Sequence, residues 1–326
     1  MEKKLDAVAL GESLIDFTPK GLSENGMRLF EQNPGGAVAN VMAAMAKLGR
    51  KTGFVGKVGA DMHGDFLIET MRNAGIDTSC VIRDASVFTT LAFVSLQPDG
   101  QREFYFARKP GADTCLREEE LCESYIASAG LLHVGSLSLT DEPARSATFR
   151  AVSYAKKAGR IVSYDPNYRA MLWKDVETAK KGMRAMLPFA DIIKLSDEET
   201  ALLTDEAEPE AAALALIEGG ASIVAVTLGE KGALVATREG TELVPGFSAK
   251  AVDTTGAGDS FFGGFLWKLM ELGMGAETKG PEDMSLAEAV VAARFGNAVA
   301  SLNVEKRGAI PAMPTLRETE ERLCSI

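Results

Sequence analysis

Asp253-Thr254-Thr255-Gly256-Ala257-Gly258-Asp259-Ser260-Phe261 is the stretch on which the reading of this chain turns. The residues up to Val252 read as extended. Phe261 to Leu272 reads as a helix, with Phe261, Phe265, Leu269 and Leu272 near one face. Gly256, Ala257 and Gly258 then open the helix, where unpaired N–H groups attract negative charge and small residues let a ligand approach the backbone. Asp259, in the first turn, stands where a carboxylate can take a proton from a hydroxyl. Local physics alone supports no more than an anion-binding helix start with a nearby acid. Asp259 equally suits the helix dipole, and the glycines a plain turn.

Outward from this stretch, short apolar runs alternate with amphipathic ones. Ala7–Leu10, Gly53–Val58, Leu131–Val134, Ile161–Tyr164, Ile192–Leu195 and Ile223–Leu228 read as strands. Ala37–Leu48, Asp65–Asn73, Pro143–Ala158, Val176–Leu187, Ala257–Leu272 and Leu286–Leu302 read as helices. Continuous apolar strands imply burial on both faces, as in a parallel sheet covered by helices, so the expected class is α/β. One region breaks the rhythm. Thr89–Leu96 and Arg102–Arg108 are strand-like with no helix between them, and Pro98-Asp99-Gly100 reads as a hairpin turn. A second strand-rich patch, Met27–Gln32, precedes Pro34-Gly35-Gly36. Together they make either a small antiparallel flap on the body or an edge hairpin of the main sheet.

Composition narrows the function classes. The chain has 326 residues, ample for a large core, and a net charge of −11 without basic clusters, which disfavours nucleic acid and anionic membranes as partners. No stretch reads as a membrane span, the N-terminal Met-Glu-Lys-Lys-Leu-Asp lacks the apolar run of a signal peptide, and the four cysteines form no CxxC pair. A reduced, cytoplasmic setting is the expectation. There is no GxxxxGK[ST] loop, no GxGxxG opening a helix after the first strand, and no GxSxG elbow. The two histidines, His63 and His133, lack HExxH spacing, which argues against a zinc hydrolase and a Ser-His-Asp enzyme; His133, within an apolar strand, reads as a core residue.

The stretch DTTGAGDSF resembles the C-terminal signature of the ribokinase-like, or PfkB, family of carbohydrate kinases. Gly35-Gly36-Ala37-Val38-Ala39-Asn40-Val41 is similar to that family's sugar-site motif, and Gly56-Lys57-Val58-Gly59-Ala60-Asp61 to its next landmark. The motifs stand more than two hundred residues apart and in the family's order. Within the family the resemblance is to fructokinases, in Gly11-Glu12-Ser13-Leu14-Ile15-Asp16-Phe17 (their first strand), Asn33–Ala37, Arg102–Phe104 with Gly111–Asp113, Asp165–Arg169 and Lys306–Pro311. Kinases of 2-keto-3-deoxygluconate and aminoimidazole riboside share several of these features, and ribokinase belongs to the same family.

The resemblance implies one kinase domain over residues 1–326, with a three-layer α/β/α body, a mainly parallel sheet and an antiparallel lid built from segments near 17–34 and 87–110. It implies ATP-dependent phosphorylation of a sugar hydroxyl, D-fructose foremost, with Mg2+, K+ and a homodimer formed through the lid. It makes Asp259 the base and Gly256, Ala257 and Gly258 the anion hole. Asp16, read as ending an early strand, Gly35, Gly36, Asn40, Arg108, Asp165, Asn167 and Arg169 would hold the sugar. Phe104 and Phe106 would face inward or pack between the flaps, with core packing the preferred reading. Lys194, Ser196, Glu199, Thr227, Gly229, Gly232 and Asn297 would serve the nucleotide, Glu199 from the acidic position that supports magnesium. Ser196 departs from the asparagine usual at its place. Asp253, Thr255 and Gly308 match the monovalent-cation site. A non-catalytic sugar sensor on the same fold is the competing class; loss of Asp259 or the anion-hole glycines would mark one, and all are present.

Overall fold

The computed structural model describes residues 4–96, 102–275 and 279–325. Among these, thirteen strands form two sheets. In chain order they are β1 (Leu5–Leu10), β2 (Leu14–Leu22), β3 (Arg28–Gly35), β4 (Thr52–Gly59), β5 (Ile76–Asp84), β6 (Leu91–Leu96), β7 (Arg102–Ala107), β8 (Ala129–Gly135), β9 (Ile161–Asp165), β10 (Ile192–Ser196), β11 (Ile223–Thr227), β12 (Ala233–Thr237) and β13 (Gly240–Val244).

The large sheet runs β13-β12-β11-β10-β9-β8-β1-β4-β5. From β11 to β5 every pairing is parallel, and β12 and β13 continue one edge antiparallel. Apolar runs such as Ile223-Val224-Ala225-Val226 are strands because both of their faces are covered. Ile223 and Ala225 join one core, with helices Ala37–Lys47, Met62–Asn73, Ala257–Glu271 and Leu286–Asn303. Val224 and Val226 join the other, with helices Ala144–Lys157, Val176–Arg184 and Pro209–Glu218. This is the expected three-layer α/β/α body. His133 is a core residue as read: it is fully buried, and its Nδ1 lies 3.1 Å from the Ser163 hydroxyl.

β3-β2-β6-β7 is a separate sheet, which decides for the flap over the edge hairpin. It consists of two antiparallel pairs, β2–β3 and β6–β7, joined by a parallel contact between β2 and β6. Pro98-Asp99-Gly100 lies outside the described residues, as does the Phe104 side chain. The placement of Gly11–Phe17 differs from the reading above. The first strand ends at Leu10, residues 11–13 turn the chain out of the body, and Asp16 is the third residue of a lid strand.

Register gives the lid two unlike faces, because side chains alternate along a strand. Asp16 pairs with Asn33 and Thr18 with Glu31, and all four line a cavity between lid and body, together with Val94 and Phe106. Their neighbours face away. Phe17 stacks on Phe93 at 5.2 Å between ring centroids, Phe30 meets Phe93 edge-on at 6.0 Å, and Tyr105 pairs with Phe93 across β6 and β7.

Candidate active site

The cavity, about 460 Å³, is sized for a small ligand. It opens at the carboxyl ends of the body strands, where α/β folds collect ligand groups. Its floor comes from both sequence motifs, brought together although 219 residues separate their key members: the Asn40 Nδ2 donates to the Asp259 Oδ2 at 2.7 Å. Both side chains are buried, and the Asn40 Oδ1 has no hydrogen-bond partner among the described residues. A buried acceptor without a partner costs free energy unless a ligand supplies one.

Two glycines make this junction possible. Gly36 precedes the helix bearing Asn40 at φ 121°, and a Cβ there would stand 2.5 Å from the Glu12 carbonyl oxygen. Gly256 caps the helix bearing Asp259 at φ 76°, where a Cβ would stand 2.6 Å from that of Ala309. Both backbones sit in the left-handed region, and both are too crowded for a side chain. Gly256 brings no side-chain cap, so the helix start keeps its positive end for an anion. The Ala257 N–H donates to the Thr254 carbonyl at 3.2 Å, a bond that a phosphoryl oxygen would have to replace.

Burial raises the Asp259 carboxyl to about 6, with the Asp165 charge adding to the rise and the Asn40 hydrogen bond opposing it. It therefore holds a proton more readily than an exposed aspartate, yet is ionised at neutral pH, which suits a base. Lys194 stands beside it. Burial alone would lower this ammonium, but the carboxylates of Asp165, Glu199 and Asp259 outweigh burial and raise it. Its Nζ lies 3.0 Å from the Asp165 Oδ2, and 3.0 Å from where a Cβ on Gly258 would stand. A fixed positive charge thus flanks the anion-binding turn.

Asn167 and Arg169 line the cavity as expected, and the Arg169 charge favours ionised Asp259. Gly35 leaves room for the Asp16 carboxylate, since a Cβ there would meet its Oδ2. Phe106 lines the cavity, where the sequence favours core packing. Three expected sugar-site residues, Gly35, Asp165 and Arg108, do not line the cavity. Asp165 is buried behind it as the partner of Lys194. Arg108 is buried too, contrary to the expected sugar contact. Its Nε donates to the Asp113 Oδ2 at 2.8 Å, its Nη1 to the Thr140 hydroxyl at 2.9 Å and its Nη2 to the Leu137 carbonyl at 2.8 Å. Because Leu137 lines the cavity, Arg108 shapes its wall from behind.

The residues expected to meet the nucleotide follow at the ends of β10 and β11. Glu199 accepts the Tyr168 N–H at 2.6 Å and the Ser196 N–H at 2.8 Å, so its carboxylate ties the ends of β9 and β10 together. The Thr227 hydroxyl donates to the Leu195 carbonyl at 3.3 Å. Gly229 and Gly232 turn the chain from β11 to β12. Asn297 donates to the Val244 and Pro245 carbonyls, anchoring the chain after β13. The candidate cation residues also converge. Asp253 accepts the Thr255 N–H and hydroxyl through one oxygen, and the Gly308 N–H at 3.0 Å through the other. Sequence reasoning assigned no role to Glu12, Asn33, Leu137 or Arg307, all of which line the cavity.

The pfkB family carbohydrate kinase model matches residues 4–316. Probable fructokinase-5 of Arabidopsis thaliana is 42% identical, covering 98% of this chain and 97% of that protein. A fructokinase from Xylella fastidiosa, solved with bound ATP, superposes with a TM-score of 0.88 at 35% identity, covering 98% of each chain. A fructokinase from Vibrio cholerae O395, solved with fructose, ADP and a calcium ion, gives 0.86 at 32%, covering 98% of this chain and 99% of that one. A body and lid that meet over Asn40 and Asp259, together with a family match over nearly the whole length, lead to one conclusion: this chain belongs to the pfkB family of carbohydrate kinases.

Proposed function

We propose that this kinase transfers the terminal phosphoryl group of ATP to the 6-hydroxyl of D-fructose. The observation that carries the reading is the Asn40–Asp259 pair at the base of a lidded cavity, with an unpartnered Asn40 oxygen facing a polar lid surface. The fructokinases to which the chain is similar supply the choice of fructose.

The sugar rests between Asp16 and Asn33 of the lid and Asn40 of the body. Asp259 accepts the proton of the attacking hydroxyl as it adds in line to the phosphoryl group. The amides of Gly256, Ala257 and Gly258 receive the transferred charge, with Lys194 beside them and Arg169 across the cavity. The lid keeps water from competing for the phosphoryl group. Magnesium bound with the nucleotide would supply neutralisation of the phosphate charge. No three His, Cys, Asp or Glu side chains cluster as a ligand set among the described residues, and an ion held through phosphates and water needs none. Glu199, with both oxygens on backbone amides, supports it by fixing the loop. Potassium would be held by backbone carbonyls beside Asp253, Thr255 and Gly308, whose mutual hydrogen bonds fix the turn before Gly256.

The outer lid face supports a homodimer. Leu22, Met27, Phe30, Phe93 and Tyr105 are exposed there, an apolar cluster that a second copy would cover. No helix among the described residues is long and apolar enough to cross a membrane; the cytoplasmic setting rests on the unpaired cysteines. A panel of D-fructose, D-ribose, 2-keto-3-deoxygluconate and aminoimidazole riboside, read by ADP release with and without potassium, tests the reading. Fructose is expected to give the highest kcat/KM. Preference for another compound rejects fructose, and sugar binding without ADP release rejects catalysis.

A further inference from the structure

Glu12 lies in the turn from β1 to β2, where the chain leaves the body for the lid. Only 1% of the residue is exposed, and it lines the cavity. Its two oxygens differ. Oε1 accepts the Ala37 N–H at 2.8 Å, capping the helix that presents Asn40. Oε2 is buried with no hydrogen-bond partner among the described residues. The Arg108 charge favours ionised Glu12, but its hydrogen bonds go to Asp113, Thr140 and the Leu137 carbonyl. A cap alone needs one oxygen. The second acceptor is desolvated in a residue that lines the cavity, and it is costly unless a ligand there bonds to it.

We infer that Glu12 is a further sugar-binding residue, its Oε2 hydrogen-bonding a hydroxyl of the bound sugar beside Asn40. The assignment rests on the sugar-kinase reading above. It adds a carboxyl group on the body side, opposite Asp16 of the lid, so that the sugar is gripped from both. Burial raises the Glu12 carboxyl to about 7, opposed by its own backbone N–H and that of Ala37. Such a group can either accept from a hydroxyl or donate to one.

Glu12→Gln separates the two roles, since its carbonyl oxygen still accepts the Ala37 N–H while an amide replaces Oε2. The expected result is a rise in KM for D-fructose of about tenfold or more, with the KM for ATP within about twofold and the melting temperature unchanged. A series of monodeoxy-D-fructoses sharpens the test. The deoxy compound lacking the hydroxyl that meets Glu12 should cost the wild type about tenfold in kcat/KM and the variant no more than about twofold. Glu12→Asp, which withdraws the carboxyl by one methylene, is expected to raise the same KM and serves where Gln fails to fold. A wild type that releases ADP with no sugar defeats the kinase reading and this inference together. A wild type active on fructose, with variants matching it in fructose KM and in the deoxy series, overturns the inference alone and leaves Glu12 a helix cap.

Discussion

The two sheets handle polar chemistry in opposite ways. In the nine-stranded sheet the strand interiors are largely apolar, with buried exceptions such as His133 of β8 and Lys194 of β10, and the other candidate reacting groups sit at or beyond strand ends: Asp165 closes β9, Ser196 closes β10, and Asn40 and Asp259 lie in the first turns of helices that follow. In the four-stranded lid the polar groups lie within the strands, Asp16, Thr18, Glu31 and Asn33 on one face, with aromatic residues on the other. The body is therefore a rigid mount, whose side chains are fixed by a continuous core. On the proposed reading the lid is a two-sided surface, its inner face making the sugar's environment and its back meeting a second copy. Substitutions in the body should cost chemistry or stability, and those on the inner lid should cost sugar affinity.

The largest effect falls on the body. Asp259→Ala removes the base, and kcat should fall by about 10³-fold or more while far-UV circular dichroism stays that of the folded enzyme. Near wild-type turnover would reject Asp259 as the base. Lys194→Met comes next, because it strands Asp165 as a buried, uncompensated charge. Urea unfolding should report a loss of about 3–5 kcal/mol. The double variant Lys194→Met with Asp165→Leu should recover much of it, and failure to recover would mean that Lys194 stabilises by some route other than this pair.

Asp16→Asn tests the lid. A carboxylate accepting sugar hydroxyls loses part of its strength as an amide, so KM for the sugar should rise by about 10- to 100-fold. The KM for ATP and the urea midpoint should hold. A fall in kcat as deep as that of Asp259→Ala, or a loss of stability as large as that of Lys194→Met, would erase the distinction between the two sheets.

The same distinction explains what was legible in the sequence. Body strands such as Ile223–Thr227 announced themselves because burial on both faces demands a nearly unbroken apolar run. The edge strands β5 and β13 did not, since Ile76–Asp84 and Gly240–Val244 carry polar residues toward solvent. Asp16 was misplaced because only three residues separate β1 from β2, and the change of sheet is set by what each strand packs against. The Arg108–Asp113 and Lys194–Asp165 pairs exist only once strands and loops are assembled, so charges expected at the sugar proved to be supports. Glu12 was in view within Gly11-Glu12-Ser13, but nothing local distinguishes a buried acceptor from a surface acid.

The smallest effect is the most specific to the body. The native Asp259 carboxyl, at about 6, sits above its ordinary 3.8, so between these values the folded state binds more protons than the unfolded one. Stability linked to this group is therefore full below pH 3.8, declines as pH rises, and is lost once the pH has passed 6. Asp259→Asn removes the charge while keeping an acceptor for Asn40. At pH 7.5 the variant should be more stable than the wild type by about 1–3 kcal/mol, and near pH 4 the difference should shrink toward zero. The wild-type kcat/KM should fall about tenfold per pH unit below 6, as the same carboxyl takes up its proton. Unfolding at the two pH values checks the first statement and a pH profile the second. A variant no more stable at pH 7.5 would mean that ionised Asp259 is better solvated than its burial implies. The cost of seating a charged base in the core would then have to be sought elsewhere in the body.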